Sequence, residues 1–185
     1  MNIFVLSESP SAAAVYHCDK HIPKMIVETA QMLSTAHRIL DGELKTIFSS
    51  KGRKKKIWEH SDDQLEKFLY KATHYNHPCS VWARESIGNY DWLYKLFVAL
   101  CNEYTHRYDK VHLTEKKLIN ILSKAPKNIN RDLSITPFKR AMKSEPDCEK
   151  IPDIVDCYRA FYRTKKDRFS MTWTKRETPY WWKVW

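Results

Sequence analysis

The chain has 185 residues, 43% of them hydrophobic and 13% aromatic, which is enough to build a core and too apolar for disorder. Its 32 basic against 22 acidic residues give a formal charge of +10, which favours an anionic partner, DNA or a nucleotide first among them. The three glycines, Gly42, Gly52 and Gly88, are widely separated, which excludes glycine-rich phosphate loops, Rossmann fingerprints and a fold rich in glycine hairpins.

Residues 3–6 read as a short strand or a buried extended lead-in. Ser7, Ser9, Pro10 and Ser11 then offer helix-start chemistry, and a helix from about residue 10, with its continuation to about 40, ends at Asp41-Gly42. Pro23 cannot donate to the Asp19 carbonyl, so a kink or a fresh helix start is expected there. Residues 51–56 carry Lys51, Arg53, Lys54, Lys55 and Lys56 with no apolar member and read as an exposed basic loop. Ser61-Asp62-Asp63 caps a helix through about Ala72, with Leu65, Phe68 and Leu69 at core spacing. The longest helical pattern follows His77-Pro78, roughly over 79–108, with Gly88-Asn89 as an interruption. Further helices are expected over 114–122 and from 152 to about 166, separated by an irregular segment holding Pro126, Pro137 and Pro146. Residues 168–185 form an aromatic and basic segment docked on the core. The whole reads as one all-α domain, 1–185, with long irregular connections. The five cysteines are odd in number and form no CxxC pair, and no stretch approaches a signal peptide or membrane span. A soluble cytoplasmic protein with no membrane partner is the expectation.

Residues 16–28 concentrate reactive groups. On one helix His17, Lys20, His21, Lys24 and Glu28 share a face, opposite Ile22 and Ile26. Lys20 and Lys24, one turn apart, supply amines, while Asp19 or Glu28 would move protons or stabilise a positive sugar centre. Asp19, Lys20, His21, Lys24 and Glu28 are therefore the candidate catalytic set. The set suits a Schiff-base route that cleaves a glycosidic bond and then the strand, and it requires no cofactor. A zinc site is the alternative use of the histidines, with His17, His21, His74 and His77 as ligands; there is no glutamate after His17 and no CxxC clamp to support it. Phosphate contacts are expected from Lys51, Arg53, Lys54, Lys55 and Lys56, from His77, Arg84, Asn89 and Trp92 around a helix start near Pro78, and from Arg176 in the aromatic tail. Cys79, at that helix start, is a candidate for a thiol of lowered pKa.

Several strings carry a resemblance. Cys18-Asp19-Lys20-His21 with Lys24-Met25 and Glu28-Thr29-Ala30-Gln31, Asn76-His77-Pro78-Cys79 with Trp82-Ala83-Arg84, and Asn89-Tyr90-Asp91-Trp92-Leu93 resemble a family of small proteins carried by tailed bacteriophages. Pro137-Phe138 with Ala141-Met142, and Trp173 with Arg176, Pro179 and Trp181, extend the likeness over most of the chain. The resemblance implies a phage setting and DNA metabolism, DNA modification or interference with a host system. In size, basicity and aromatic tail the chain is also similar to the small all-helical pyrimidine-dimer glycosylases of phages. Those enzymes use the amine of a processed threonine, whereas this chain opens Met1-Asn2. The expected function is an enzyme acting on a DNA base or glycosidic bond in the infected cell. The alternative is a non-catalytic nucleic-acid binder, or an inhibitor of a host defence or replication protein.

Overall fold

The computed structural model describes residues 1–48, 50 and 52–183, Lys183 through its backbone alone. Lys51, of the expected phosphate-binding set, and residues 184–185 of the tail lie outside the described residues. The elements run α1 (Pro10–Tyr16), α2 (His21–Asp41), β1 (Gly42–Phe48), β2 (Lys54–His60), α3 (Asp63–Phe68), α4 (Pro78–Trp82), α5 (Ile87–Tyr108), α6 (Leu113–Leu122), α7 (Pro146–Glu149), α8 (Ile154–Arg163) and α9 (Tyr180–Lys183). A 3-10 turn (Thr164–Asp167) continues α8.

The first long helix is two helices. Ser9 caps α1, which stops at His17, and α2 begins at His21. Pro23 falls in the first turn of α2, where no intrahelical N–H is needed, so it helps start the helix and does not bend it. The backbone of the break at 17–20 is held by Arg107 of α5, which donates to the Val15 and His17 carbonyls at 2.9 Å each. Ile22, Met25, Ile26, Ala30 and Leu33 of α2 lie fully buried against Leu93, Leu96, Phe97 and Leu100 of α5. Each of these Ile, Leu, Met and Phe side chains contributes about 1.5–3 kcal/mol by leaving water.

The molecule is mostly helical, but it is not all-α. β1 and β2 pair antiparallel from Gly42↔His60 to Phe48↔Lys54, so Lys54, Lys55 and Lys56 stand on a strand and not in a loop. The lysine run hid a strand because neither face of the hairpin is buried, which removes the apolar alternation that marks one. Gly42 is needed at the helix–hairpin junction, where a Cβ would come within 2.4 Å of the Arg38 carbonyl oxygen. Residues 3–6 form no strand. Phe4 sits at φ 50°, its N–H and that of Ile3 bonded to Asn2 Oδ1, and its ring lies on His21 and Phe161 with centroids 5.2 and 5.7 Å apart. That positive φ is uncommon for a bulky residue and is fixed here by its surroundings.

The helix expected over 79–108 breaks at 83–86, earlier than Gly88. Gly88 serves close approach instead: a Cβ would meet the Ser134 and Leu133 carbonyl oxygens at 2.3 and 2.4 Å, because the segment 130–136 crosses the start of α5. Asp62 caps α3, which ends at Leu69, short of Ala72. In the described part of the tail Trp181 is buried, and Trp173 donates its indole N–H to the Tyr16 carbonyl at 3.0 Å. Among the described residues no helix is long and apolar enough to cross a membrane.

Candidate active site at the amino terminus

Glu28 lies two turns into α2, on the side that meets the start of the chain. Its Oε2 accepts the Asn2 N–H at 2.9 Å and stands 3.8 Å from the Met1 α-amine, while Oε1 is 3.8 Å from Lys24 Nζ. The Met1 side chain is only 2% exposed, and its sulfur receives the Ser80 hydroxyl at 3.2 Å. An otherwise mobile terminal amine is thereby held in one place beside a half-buried carboxylate. His77, the N-cap of α4, borders the same space. Partial burial lowers its pKa, helped by the nearby α-amine and His74 and opposed by Glu28. One carboxylate, two amines and an imidazole thus converge where α2, α4 and the first residues meet.

The other candidates occupy different surroundings. Asp19 faces the tail: it accepts from Thr172 Oγ1 at 2.9 Å, from the Thr174 N–H and hydroxyl, and from Arg107 at 3.0 Å. Partial burial opposes its ionisation, but these bonds hold the carboxyl below the usual range. Lys20 is exposed, with its ammonium 5.2 Å from the Phe169 ring centre. His21 stacks on Phe4 and bonds the Tyr162 hydroxyl at 2.7 Å, and burial lowers its pKa to about 3. His17 bonds the Ala13 carbonyl at 2.7 Å and is lowered to about 4, again by burial. Both imidazoles are neutral parts of an aromatic core.

Around α4 and α5, Asn89 is fully buried and bonds the Trp82 carbonyl and Thr136. Trp92, 4% exposed, donates to the Glu8 carbonyl at 2.7 Å, so the polar atoms of both side chains are committed to the fold. Arg84 is half-buried and donates to the Ser80 carbonyl at 2.8 Å. Arg176 forms a two-pronged pair with Glu103 at 3.0 Å per contact. Cys79 is not an activated thiol: burial pushes it up to about 11, against the opposing pull of the α-amine.

The histidines named as zinc ligands do not gather. Among the described residues one cluster of three such groups exists, His37, Asp41 and His60, with ligand atoms within 4.8 Å of one another. Its tautomers are fixed by hydrogen bonds. Tyr90 gives its only proton to the Leu122 carbonyl at 3.0 Å, so it accepts from His37 Nε2, which leaves a bare lone pair on His37 Nδ1. His60 Nδ1 accepts the Asp62 N–H, which puts the His60 proton on Nε2. Whichever His60 nitrogen met a zinc ion, the bond from Asp62 would have to be given up. Two clefts flank the core elsewhere, one of about 740 Å³ beside Arg159, Arg163, Tyr180 and Trp181, the other of about 690 Å³ beside Trp92 and Phe138; neither is lined by Glu28.

A family profile described as pyrimidine dimer DNA glycosylase matches residues 1–116. The chain belongs to the pyrimidine dimer DNA glycosylase family. Searches of curated proteins and of solved structures returned no match. In this glycosylase-family chain the matched span holds Met1, Glu28, His77 and the hairpin, and leaves out the tail with Arg176. The group that residue-by-residue reading passed over is the α-amine, which belongs to no side chain. The opening Met1-Asn2 hid it, since the comparison with a processed threonine directed attention to the residue type. Lys165, on the 3-10 turn, is buried 3.6 Å from the Phe161 ring centre, with a pKa lowered by that burial.

Proposed function

We propose that this chain, working as one domain, cleaves the glycosidic bond of a damaged pyrimidine nucleotide in DNA, with the Met1 α-amine as nucleophile and Glu28 as its carboxylate partner. One observation carries the reading: the amine is anchored by a buried side chain 3.8 Å from a carboxylate in a family whose description is DNA glycosylase. Met1 is anchored by a side chain 2% exposed whereas that of Lys24 is 55% exposed, which favours Met1 over Lys24 as the positioned nucleophile. The neutral amine attacks C1′ while the bond from C1′ to the base nitrogen breaks, and the base departs with the bonding electrons and takes up a proton. Glu28 balances the positive charge that develops on the sugar. Loss of the amine proton and opening of the ring give an imine to Met1. Removal of a C2′ proton by Glu28 then expels the 3′ phosphate and breaks the strand.

Lys24 and the strand lysines Lys54, Lys55 and Lys56 would hold phosphates. The phage and cytoplasmic setting implied by the sequence resemblance accompanies this reading. The test is strand cleavage of a duplex containing a single pyrimidine dimer, by the wild type and by Glu28→Gln. The amide keeps the shape but neither balances a cation nor accepts a proton, so cleavage falls by about 10²–10⁴ while duplex affinity stays within about threefold. Equal cleavage by the variant, or none by the wild type, would remove the proposal.

A further inference from the structure

The β1–β2 hairpin takes no part in the bond-breaking steps above, and beyond phosphate contacts from its lysines nothing yet accounts for its shape. Both its faces are exposed along most of its length, and the apolar side chains of β1 are left in water: Phe48 is 65% exposed, Leu44 49% and Ile47 41%. The register places two of these across the ladder from cations, Phe48 opposite Lys54 and Ile47 opposite Lys55, while Leu44 faces Trp58. Near the root Lys45 pairs with Glu59 at 2.5 Å; toward the tip the described residues show no carboxylate paired with Lys54, Lys55 or Lys56. Lysines on an edge strand are a common guard against strand-to-strand aggregation, and that accounts for β2. It leaves the bare apolar side chains of β1, Leu44 and Phe48 on one face and Ile47 on the other, unexplained.

We infer that the hairpin is a DNA arm: it lies in a groove of the duplex with Lys54, Lys55 and Lys56 against phosphates and Phe48 wedged at a base step. This rests on the reading of the chain as a DNA-acting enzyme. A two-stranded ribbon fits the width of the major groove, and apolar wedges flanked by cations are a recurrent way of unstacking and bending DNA. The root of the arm is rigid. Arg38, fully buried, donates to the Trp58 carbonyl at 2.9 Å, pairs with Glu66, and reaches the Tyr70 and Leu69 carbonyls, which ties β2 to α2 and α3. The spacing is suitable as well. Residue 28 and the root of the arm at residue 42 are separated along α2 by about 20 Å at 1.5 Å per residue, or roughly six base pairs.

The test compares the wild type with Phe48→Ala and with the triple variant Lys54→Ala, Lys55→Ala, Lys56→Ala on an undamaged duplex and on the dimer-containing one, with circular dichroism confirming that each is folded. The arm predicts about tenfold weaker binding for Phe48→Ala with little change in the salt dependence. It predicts a slope of log K against log salt reduced by up to about three for the triple variant. Fluorescence transfer between the duplex ends detects bending, which should be lost in Phe48→Ala. Unchanged affinity, slope and bending would overturn the arm even if cleavage still depends on Glu28. Loss of a wild-type dimer in sedimentation for Phe48→Ala, with DNA binding intact, would show that the apolar side chains meet a second copy and would likewise overturn it. Arm-dependent binding without any cleavage would instead remove the glycosylase reading and leave the arm standing.

Discussion

Replacing Arg38 with methionine keeps most of the volume and deletes the charge that joins the hairpin to the body. In the native protein its guanidinium meets the carbonyls of Trp58, Glu66, Leu69 and Tyr70, besides the Glu66 carboxylate. Burial alone would raise the Glu66 pKa, but Arg38, Lys71 and the His60 N–H bring it down to about 2, so the carboxylate is charged in any ordinary buffer. With Arg38 gone, Glu66 keeps Lys71 and the His60 N–H at 2.8 Å, whereas the buried carbonyls lose their donor. Hydrogen bonds to a charged group contribute about 1.5–3 kcal/mol each and do not add, and breaking one side of a buried ion pair costs about 3–5 kcal/mol. About 4 kcal/mol is the expected loss, or roughly 8–16 °C in Tm for a chain of this size. Urea unfolding followed by circular dichroism measures it. A loss below about 1 kcal/mol, with the slope of the transition unchanged, would mean that the root of the hairpin is not held as argued.

Two further outcomes follow from buried groups. His17, His21 and His37 are neutral in the folded protein, lowered by burial to about 4, 3 and 4, whereas the unfolded chain protonates near the ordinary histidine value. Folded and unfolded states bind equal protons on these groups at high pH; below about 6.5 the unfolded state binds more, so stability falls with acid down to about pH 4, by about 1.4 kcal/mol per pH unit for each histidine. Urea midpoints at pH 7, 6 and 5 that stay level would refute this. Gly88→Ala would force a Cβ onto two carbonyl oxygens of the crossing segment, and its thermal unfolding should show a loss of about 1–3 kcal/mol; a neutral result would mean that the segment gives way freely.

Much of the helical frame was legible because caps and apolar spacing agree: Ser9 before Pro10, Asp62 before α3, and the stripe from Trp92 to Cys101 each place an element within a few residues. The hairpin was not, since Lys54, Lys55 and Lys56 have the composition of a loop and only pairing with β1 makes them a strand. Glu28 and Lys24 were readable as reactive groups on one helix face, yet nothing in their spacing names the partner, because the Met1 amine arrives by a chain path rather than by periodicity. For Asp19 the density of reactive neighbours in sequence did not show its partners: Thr172 and Thr174, far along the chain, bind it into a knot between the tail and the break before α2. His37 and His60 come together only because the hairpin folds back on α2.

Borohydride reduction of the protein mixed with a dimer-containing duplex, followed by peptide mapping of the cross-linked chain, tests the central claim most directly. The account predicts a covalent adduct on the α-amine of Met1, abolished when that amine is blocked by acetylation and strongly reduced in Glu28→Gln. An adduct on Lys24 or Lys20, or none with a duplex that the protein cleaves, would contradict it.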